Sequence, residues 1–275
     1  GAAGKLRVVA AEDFWGSLAR SLGGDQVKVD SLIDSPVVDP HDYEPTASDA
    51  RAVATATVVV VNGVGYDGWA SKLLAANPSG HRTTIDVGRL VGAKPGDNPH
   101  RWYNPTDVHA VVTALTNAYS SADPAHAAYF TAQREHYEST ALGRYDDSIA
   151  DIKAKFGGTP VGASESIFAM LAPALGLNLI TPASFLRAVS EGADPAASDK
   201  RTVDAQIRQH AIKVYVYNAQ NTTPDVQAQV DAAKAAGIPV VPITETPAPA
   251  TASFIDWQVA QLTALRAALA KGTGR

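Results

Sequence analysis

The sequence predicts an α/β protein with two similar lobes, each a mostly parallel sheet flanked by helices, joined by one long backbone helix. Short β-branched runs, such as VKVDSLI at 27–33 and ATVVVVN at 56–62, alternate with amphipathic helical segments. Strands that are separated by helices pair in parallel and are covered by helices on both faces. The alternation stops near residue 124 and resumes after residue 157, which indicates two lobes.

The elements of the first lobe follow from its apolar runs and the turn residues beside them. Pro105 marks a helix start, because proline is favoured at the first helical position. Strands are predicted over 6–10, 27–33, 56–62 and 83–87, and helices over 14–22, 47–55 and 105–120.

The segment 124–155 has no strand signal and no internal proline. Asp123 and Pro124 form a favourable helix start, and Gly157 and Gly158 form a stop. A helix of this length would extend for about 45–50 Å. The predicted organisation is an N-terminal lobe over 1–122, a linking long helix over 123–156 and a C-terminal lobe over 157–275.

The second lobe repeats the alternation of strands and helices. The segment 183–198 is predicted to be a loop. Strands are predicted over 159–163, 178–181, 214–218 and 238–243, and helices over 166–175, 202–210, 224–236 and 252–271.

Composition excludes several classes of protein. The formal net charge of −5 and the isoelectric point near 5.8 argue against a nucleic-acid partner. The absence of cysteine excludes thiolate metal sites, iron–sulfur clusters and disulfides. No apolar run approaches the roughly 18–20 residues that span a bilayer. The N-terminal residues show no signal-peptide core, which suits a trimmed secreted protein and a cytosolic one equally.

Four side chains with metal-binding groups follow predicted strands. His41 lies in VDPHDYEP after the second strand, and His100 lies in DNPHRWYNP after the fourth. Glu165 and Glu245 follow two strands of the second lobe. Ligand sites in parallel α/β lobes lie at the carboxyl ends of strands. Two imidazoles and two carboxylates would suit Zn²⁺, Mn²⁺ or Fe²⁺.

Each of these residues also has an ordinary structural interpretation, and the residues alone leave both open. A loop histidine is usually solvated, Glu165 could be a carboxylate favoured by a helix N-terminus, and Glu245 could be a plain loop acid. The other histidines, without an evident partner, are assigned no function: His81, His109, His126, His136 and His210.

An enzyme is the alternative. Residues 63–68 match the GxGxxG pattern of dinucleotide-binding turns, and Asp86 follows at a strand end. The motif, however, follows the third strand, and Tyr66 and Asp67 would crowd a pyrophosphate. HExxH, GxSxG and P-loop motifs do not occur. A two-histidine, one-carboxylate iron oxygenase is conceivable, but a fourth carboxylate conflicts with its open coordination positions.

The stretches PHDYEPTASD (40–49) and NPHRWYNP (98–105), together with the predicted long helix, resemble the extracellular solute-binding proteins of zinc and manganese ABC importers. The resemblance runs nearly end to end, and NGVGYDGW (62–69) also resembles a family turn. Glu165 stands where zinc-importing members usually have histidine and manganese-type members commonly have glutamate. Glu245 stands where an aspartate is usual. Asn218 replaces a common glutamate and is not counted as a ligand.

The resemblance implies a binding protein and not an enzyme. It implies one divalent transition-metal ion, Mn²⁺ favoured over Zn²⁺ with Fe²⁺ also considered, bound in an interlobe cleft by His41, His100, Glu165 and Glu245. The expected partner is the transmembrane permease of an ABC importer, to which a monomer delivers the ion. The expected location is extracytoplasmic, near the membrane through an N-terminal lipid anchor upstream of residue 1.

Overall fold

The computed structural model describes residues 4–35, 38, 40 and 43–275. The chain forms two compact units, one made of residues 1–143 and 246–255, the other of residues 144–245 and 256–275. Each unit contains one four-stranded sheet. All of the strand pairs in both sheets are parallel. The predicted fold class is therefore confirmed, whereas the predicted lobe limits stay a prediction.

The first unit is built on a sheet with the strand order β2-β1-β3-β4. Its strands are β1 (Leu6–Glu12), β2 (Val27–Ile33), β3 (Val58–Val61) and β4 (Thr83–Asp86). The helices along this part of the chain are α1 (Asp13–Gly23), α2 (Ala47–Thr55), α3 (Gly68–Ala76), α4 (Val87–Leu90), α5 (Pro105–Ala122) and α6 (Ala127–Tyr137).

Local sequence explains where these helices begin. The side chain of Thr46 accepts from the backbone N–H of Asp49, whose carboxylate accepts from the backbone N–H of Thr46, so α2 starts with a capping box. Asn104 caps α5 through a 3.0 Å bond from the backbone N–H of Thr106, and Pro105 occupies the first turn. These caps fix the first turns of α2 and α5, each of which follows a predicted histidine ligand in the sequence.

The segment predicted to be the long helix is helical throughout. A 3₁₀ turn at Pro124–His126 leads into α6, a π-helical turn follows at Glu138–Leu142, and α7 (Gly143–Phe156) completes the segment. A single π-helical turn inside α-helix accommodates an extra residue without ending the helix. Its role as a strut between lobes stays a prediction.

The second unit repeats the strand order of the first, as β6-β5-β7-β8. Its strands are β5 (Pro160–Ala163), β6 (Asn178–Leu179), β7 (Tyr215–Asn218) and β8 (Val240–Ile243). The remaining helices are α8 (Ile167–Leu171), α9 (Ala183–Ser190), α10 (Ala197–Arg208), α11 (Pro224–Ala235) and α12 (Phe254–Thr273). From β5 the chain adds β6 on one side and then β7 on the other, so the strand order reverses between β5 and β7. The carboxyl ends of the two strands beside such a switch point form the usual ligand crevice of a parallel sheet.

Two predicted elements were wrong. The segment 183–198 is mostly helical, because Phe185, Leu186 and Val189 form one apolar face that is buried in the second unit. The helix predicted over 166–175 ends at Leu171, before Pro173. A proline lacks the N–H that a continuing helix needs.

Candidate metal centre

The structure describes the surroundings of three of the four predicted ligands. His41 lies outside the described residues, as do its neighbours Val37, Asp39 and Asp42. Within the described ranges, no group of three or more histidine, aspartate or glutamate side chains forms a metal-binding cluster. The ligand set accordingly stays a prediction, and each described ligand is considered within its own unit.

The ring orientation of His100 is set by Asn98. The Oδ1 atom of Asn98 accepts from the backbone N–H of His100 at 3.1 Å and lies 2.8 Å from the ring Nδ1. Since this oxygen acts as the acceptor, Nδ1 carries the hydrogen in the neutral ring. The lone pair is then on Nε2, which is the nitrogen that a metal would bind.

The loop before His100 is held by Asn62 at the end of β3. Asn62 is fully buried; its Nδ2 donates to the carbonyl oxygen of Pro99 at 2.8 Å, and its Oδ1 accepts from Trp15 Nε1 at 3.2 Å. The indole donor shows which end of the Asn62 amide is oxygen. His100 itself is only 4% exposed and lies edge-on to Trp102, with ring centroids 5.3 Å apart.

An ion pair fixes the loop after His100. Arg101 Nη2 lies 2.6 Å from Asp107 Oδ2, in the first turn of α5, and both side chains are largely buried. Burial raises the pKa of Asp107 above its ordinary value, and the Arg101 charge opposes that rise. Bonds on both sides of His100 therefore restrict the position of its ring.

The residues that flank His41 pack on one tryptophan of α3. Trp69 Nε1 donates to the carbonyl oxygen of Pro40 at 2.9 Å, and its ring lies 4.7 Å from that of Tyr43. The Tyr43 hydroxyl donates to Asp49 Oδ2 at 2.9 Å, the carboxylate that caps α2. Pro40 and Tyr43, which are described residues on either side of His41 in the sequence, thus both contact Trp69.

The glycine motif at 63–68 is a turn closed by its own carboxylate. Gly63, Val64 and Gly65 all have positive φ, at 72°, 56° and 81°. The carboxylate of Asp67 accepts from the backbone N–H of Asn62 at 2.6 Å and of Gly63 at 2.8 Å, and is fully buried. A phosphate would need such N–H donors, so the structure does not favour the nucleotide alternative.

Glu165 follows β5 and is held by two asparagines. It is 2% exposed. The Nδ2 atom of Asn218, at the end of β7, donates to Glu165 Oε1, and the Nδ2 atom of Asn221 donates to Oε2 at 2.9 Å. Both carboxylate oxygens of Glu165 therefore accept a hydrogen bond from an asparagine side chain.

Glu245 follows β8 and meets the same asparagine. Asn218 Nδ2 also donates to Glu245 Oε2, at 3.4 Å, which is a longer and weaker bond. The backbone N–H of Glu245 donates to Gln220 Oε1 at 2.8 Å. The second unit therefore brings the two predicted carboxylate ligands together on one buried amide.

Sequence reasoning did not find the residues that contact the predicted ligands. Asn98 contacts the ring of His100, and Asn218 contacts Glu165 and Glu245, but neither asparagine was assigned a role. The sequence did contain an indication of these contacts. Asn218 ends a strand and Asn98 follows a turn that contains proline, and at such positions the asparagine amide can hydrogen-bond the nearby backbone.

A buried carboxyl pair was also missed. Glu12, the last residue of β1, is 1% exposed, and neither of its oxygens has a well-formed hydrogen bond from an N–H or hydroxyl of the described residues. Burial, and then the charge of Asp67, raise the pKa of Glu12 well above its ordinary value. Burial also raises the pKa of Asp67, against its two backbone bonds. We infer that the pair shares a proton, because one protonated carboxyl can donate to the other.

The family model of ZnuA, described as zinc-uptake complex component A, periplasmic, matches residues 8–268. The chain belongs to this family. The resemblance to the solute-binding proteins of zinc and manganese ABC importers is thereby confirmed. Among the helices that the structure describes, none is long and apolar enough to cross a membrane.

Relatives of this chain include proteins that are named as metal-binding lipoproteins. The manganese ABC transporter substrate-binding lipoprotein PsaA of Streptococcus mitis is 25% identical over 228 residues, which cover 74% of this chain and 69% of that protein. The manganese-binding lipoprotein MntA of Halalkalibacterium halodurans is 28% identical over 138 residues, 48% of this chain and 45% of that protein. The latter match thus spans less than half of that relative's length.

Solved structures share the fold of this ZnuA family member. The Mn-bound periplasmic metal binding protein from Candidatus Liberibacter asiaticus gives a TM-score of 0.78 at 19% identity, covering 96% of this chain and all of that chain. The Ni²⁺ complex of the protein FpvC from Pseudomonas aeruginosa gives 0.76 at 20% identity, covering 96% and 97%. At these identities, the likeness shows the fold alone.

Proposed function

We propose that this chain captures one divalent transition-metal ion for an ABC importer and does not catalyse a reaction. His41, His100, Glu165 and Glu245 are the proposed ligands. One observation carries the proposal: within a ZnuA family member, Glu165 and Glu245 share the buried amide of Asn218 at the carboxyl ends of β5, β7 and β8. Two converging carboxylates need a cation or a proton to offset their repulsion.

The donor set favours Mn²⁺. Carboxylate oxygen is a hard donor that suits Mn²⁺, whereas additional imidazole would suit Zn²⁺. The names of PsaA and MntA as manganese proteins support this choice, and MtsA of Streptococcus pyogenes, named for iron, keeps Fe²⁺ within the proposed range. Zn²⁺ is the close second, because it binds most nitrogen and oxygen sites more tightly than Mn²⁺.

The proposed partner is the transmembrane permease of the importer, which receives the ion from a monomer outside the cytoplasm. The periplasmic description of the family and the lipoprotein names of the relatives support an extracytoplasmic location and a lipid anchor near the membrane. The negative net charge suits a cation-binding protein without a nucleic-acid partner.

The test is competitive calorimetric titration of chelator-stripped protein with Mn²⁺ and Zn²⁺. We expect tight one-to-one binding that His41→Ala, His100→Ala, Glu165→Gln and Glu245→Gln each weaken strongly. His81→Ala, which removes an exposed histidine, is the matched control and should bind like the unaltered protein. Glu165→His should weaken Mn²⁺ binding while keeping Zn²⁺ binding. Failure of either metal to bind, or binding that none of the four ligand variants changes, would refute the proposal.

A further inference from the structure

We propose that Asn218 is a positioning residue that holds Glu165 and Glu245 in place for one metal ion. This inference rests on the proposed function and adds a residue that contacts the ligands and not the metal. The carboxamide of Asn218 is a common donor to the two carboxylates, so its removal should change the geometry of both at once.

The orientation of the Asn218 amide follows from its other bonds. Its Oδ1 accepts from the backbone N–H of Gln220 at 2.9 Å, an Asx turn at the end of β7. An atom that accepts from a backbone N–H is the oxygen, so the NH₂ group faces the glutamates. The two hydrogens of that group suffice for one bond to each carboxylate.

Asn218 is itself held rigidly. It is fully buried, and its backbone N–H donates to Ser164 Oγ at 3.1 Å, on the strand end that precedes Glu165. The backbone N–H of Asn221 donates to the Asn218 carbonyl oxygen at 3.2 Å, which closes a turn and directs the Asn221 side chain back to Glu165. The turn 218–221 thus provides two amide donors to Glu165, one from Asn218 and one from Asn221. The Asn218 amide also donates to Glu245.

A neutral donor between two carboxylates has a specific consequence for metal binding. It reduces their mutual repulsion in part before the ion arrives, without adding a third negative charge, and leaves the rest to be offset by the cation. A carboxylate oxygen has two lone pairs, so accepting one hydrogen bond does not by itself prevent it from binding a metal. Loss of such an outer partner costs about 10–100-fold in metal affinity in known sites.

Asn218→Leu tests this role, because leucine has nearly the same shape but no donor. We expect Mn²⁺ affinity to fall about 10–100-fold at one-to-one stoichiometry. We also expect the visible spectrum of bound Co²⁺, which reports coordination geometry, to change. Asn218→Ser keeps a single hydroxyl donor and should recover part of the affinity. It also provides the test if the leucine variant does not fold.

The matched control is Tyr215→Phe, which removes a different buried hydrogen bond of the same unit, from the tyrosine hydroxyl to Gln229. It should lower stability while leaving the Co²⁺ spectrum unchanged. Variants of Asn218 that bind Mn²⁺ within about twofold of the unaltered protein, with the same Co²⁺ spectrum, would overturn the positioning role. If the unaltered protein binds no metal, the proposed function fails, and the role of Asn218 fails with it.

Discussion

Replacing Glu12 by glutamine should make the protein less sensitive to rising pH. In the unaltered protein Glu12 and Asp67 lie buried together, and the pKa of Glu12 is raised well above its ordinary value by burial and by the Asp67 charge. The folded state therefore keeps a proton that the unfolded state releases above about pH 4.3, the ordinary pKa of glutamate. Stability from this pair is complete below that pH and is lost as the pH rises through the raised pKa.

The magnitude follows from the number of protons. One proton bound only by the folded state lowers the free energy of unfolding by about 1.4 kcal/mol for each pH unit between the two pKa values. Glutamine cannot titrate, and its N–H₂ group can donate to the Asp67 carboxylate. The stability of Glu12→Gln relative to the unaltered protein should therefore increase with pH at up to that slope.

Urea unfolding of chelator-stripped protein between pH 5 and pH 8, followed by tryptophan fluorescence, measures this slope. All other residues are the same in both proteins, so the comparison isolates the contribution of Glu12. Glu135→Gln, which removes an exposed carboxylate of the same unit, is the control. Its free energy of unfolding should change with pH in the same way as that of the unaltered protein. A difference in free energy of unfolding between Glu12→Gln and the unaltered protein that stays constant from pH 5 to pH 8 would refute the shared proton.

Three further predictions concern the segments around the predicted histidine ligands and the core of the second unit. Asn98→Ala removes the acceptor that orients His100, and calorimetry should show Mn²⁺ affinity lowered about 10–100-fold; unchanged affinity would contradict this role. Trp69→Phe keeps an aromatic ring but removes the indole N–H that donates to Pro40 and some buried volume, so urea unfolding should show a loss of at least about 0.5–1.5 kcal/mol; an unchanged stability would contradict the bond. Phe185→Ala opens a cavity under α9 and should cost about 3–5 kcal/mol by the same assay, whereas a loop at this position would lose far less.

Patterns within short stretches were enough to predict the fold class. The apolar run that becomes β3 and the proline that starts α5 act on neighbouring residues, so the sequence shows them directly. Glu165 and Glu245 could be singled out because the ends of parallel strands converge at one edge of a sheet. The helix α9 was missed, because its apolar face is short and becomes evident only when packed.

By itself, the sequence determined the two parallel sheets, the positions of the histidine loops and the chemical type of the proposed ligands. Only the tertiary structure decided which side chains support those ligands. Asn218 and Glu165 are 53 residues apart, and Trp15 and Asn62 are 47 apart. Such bonds depend on strand order and on burial, neither of which is a property of any local stretch. For the same reason Glu12 and Asp67, two ordinary acids in the sequence, form a buried pair only in the folded protein.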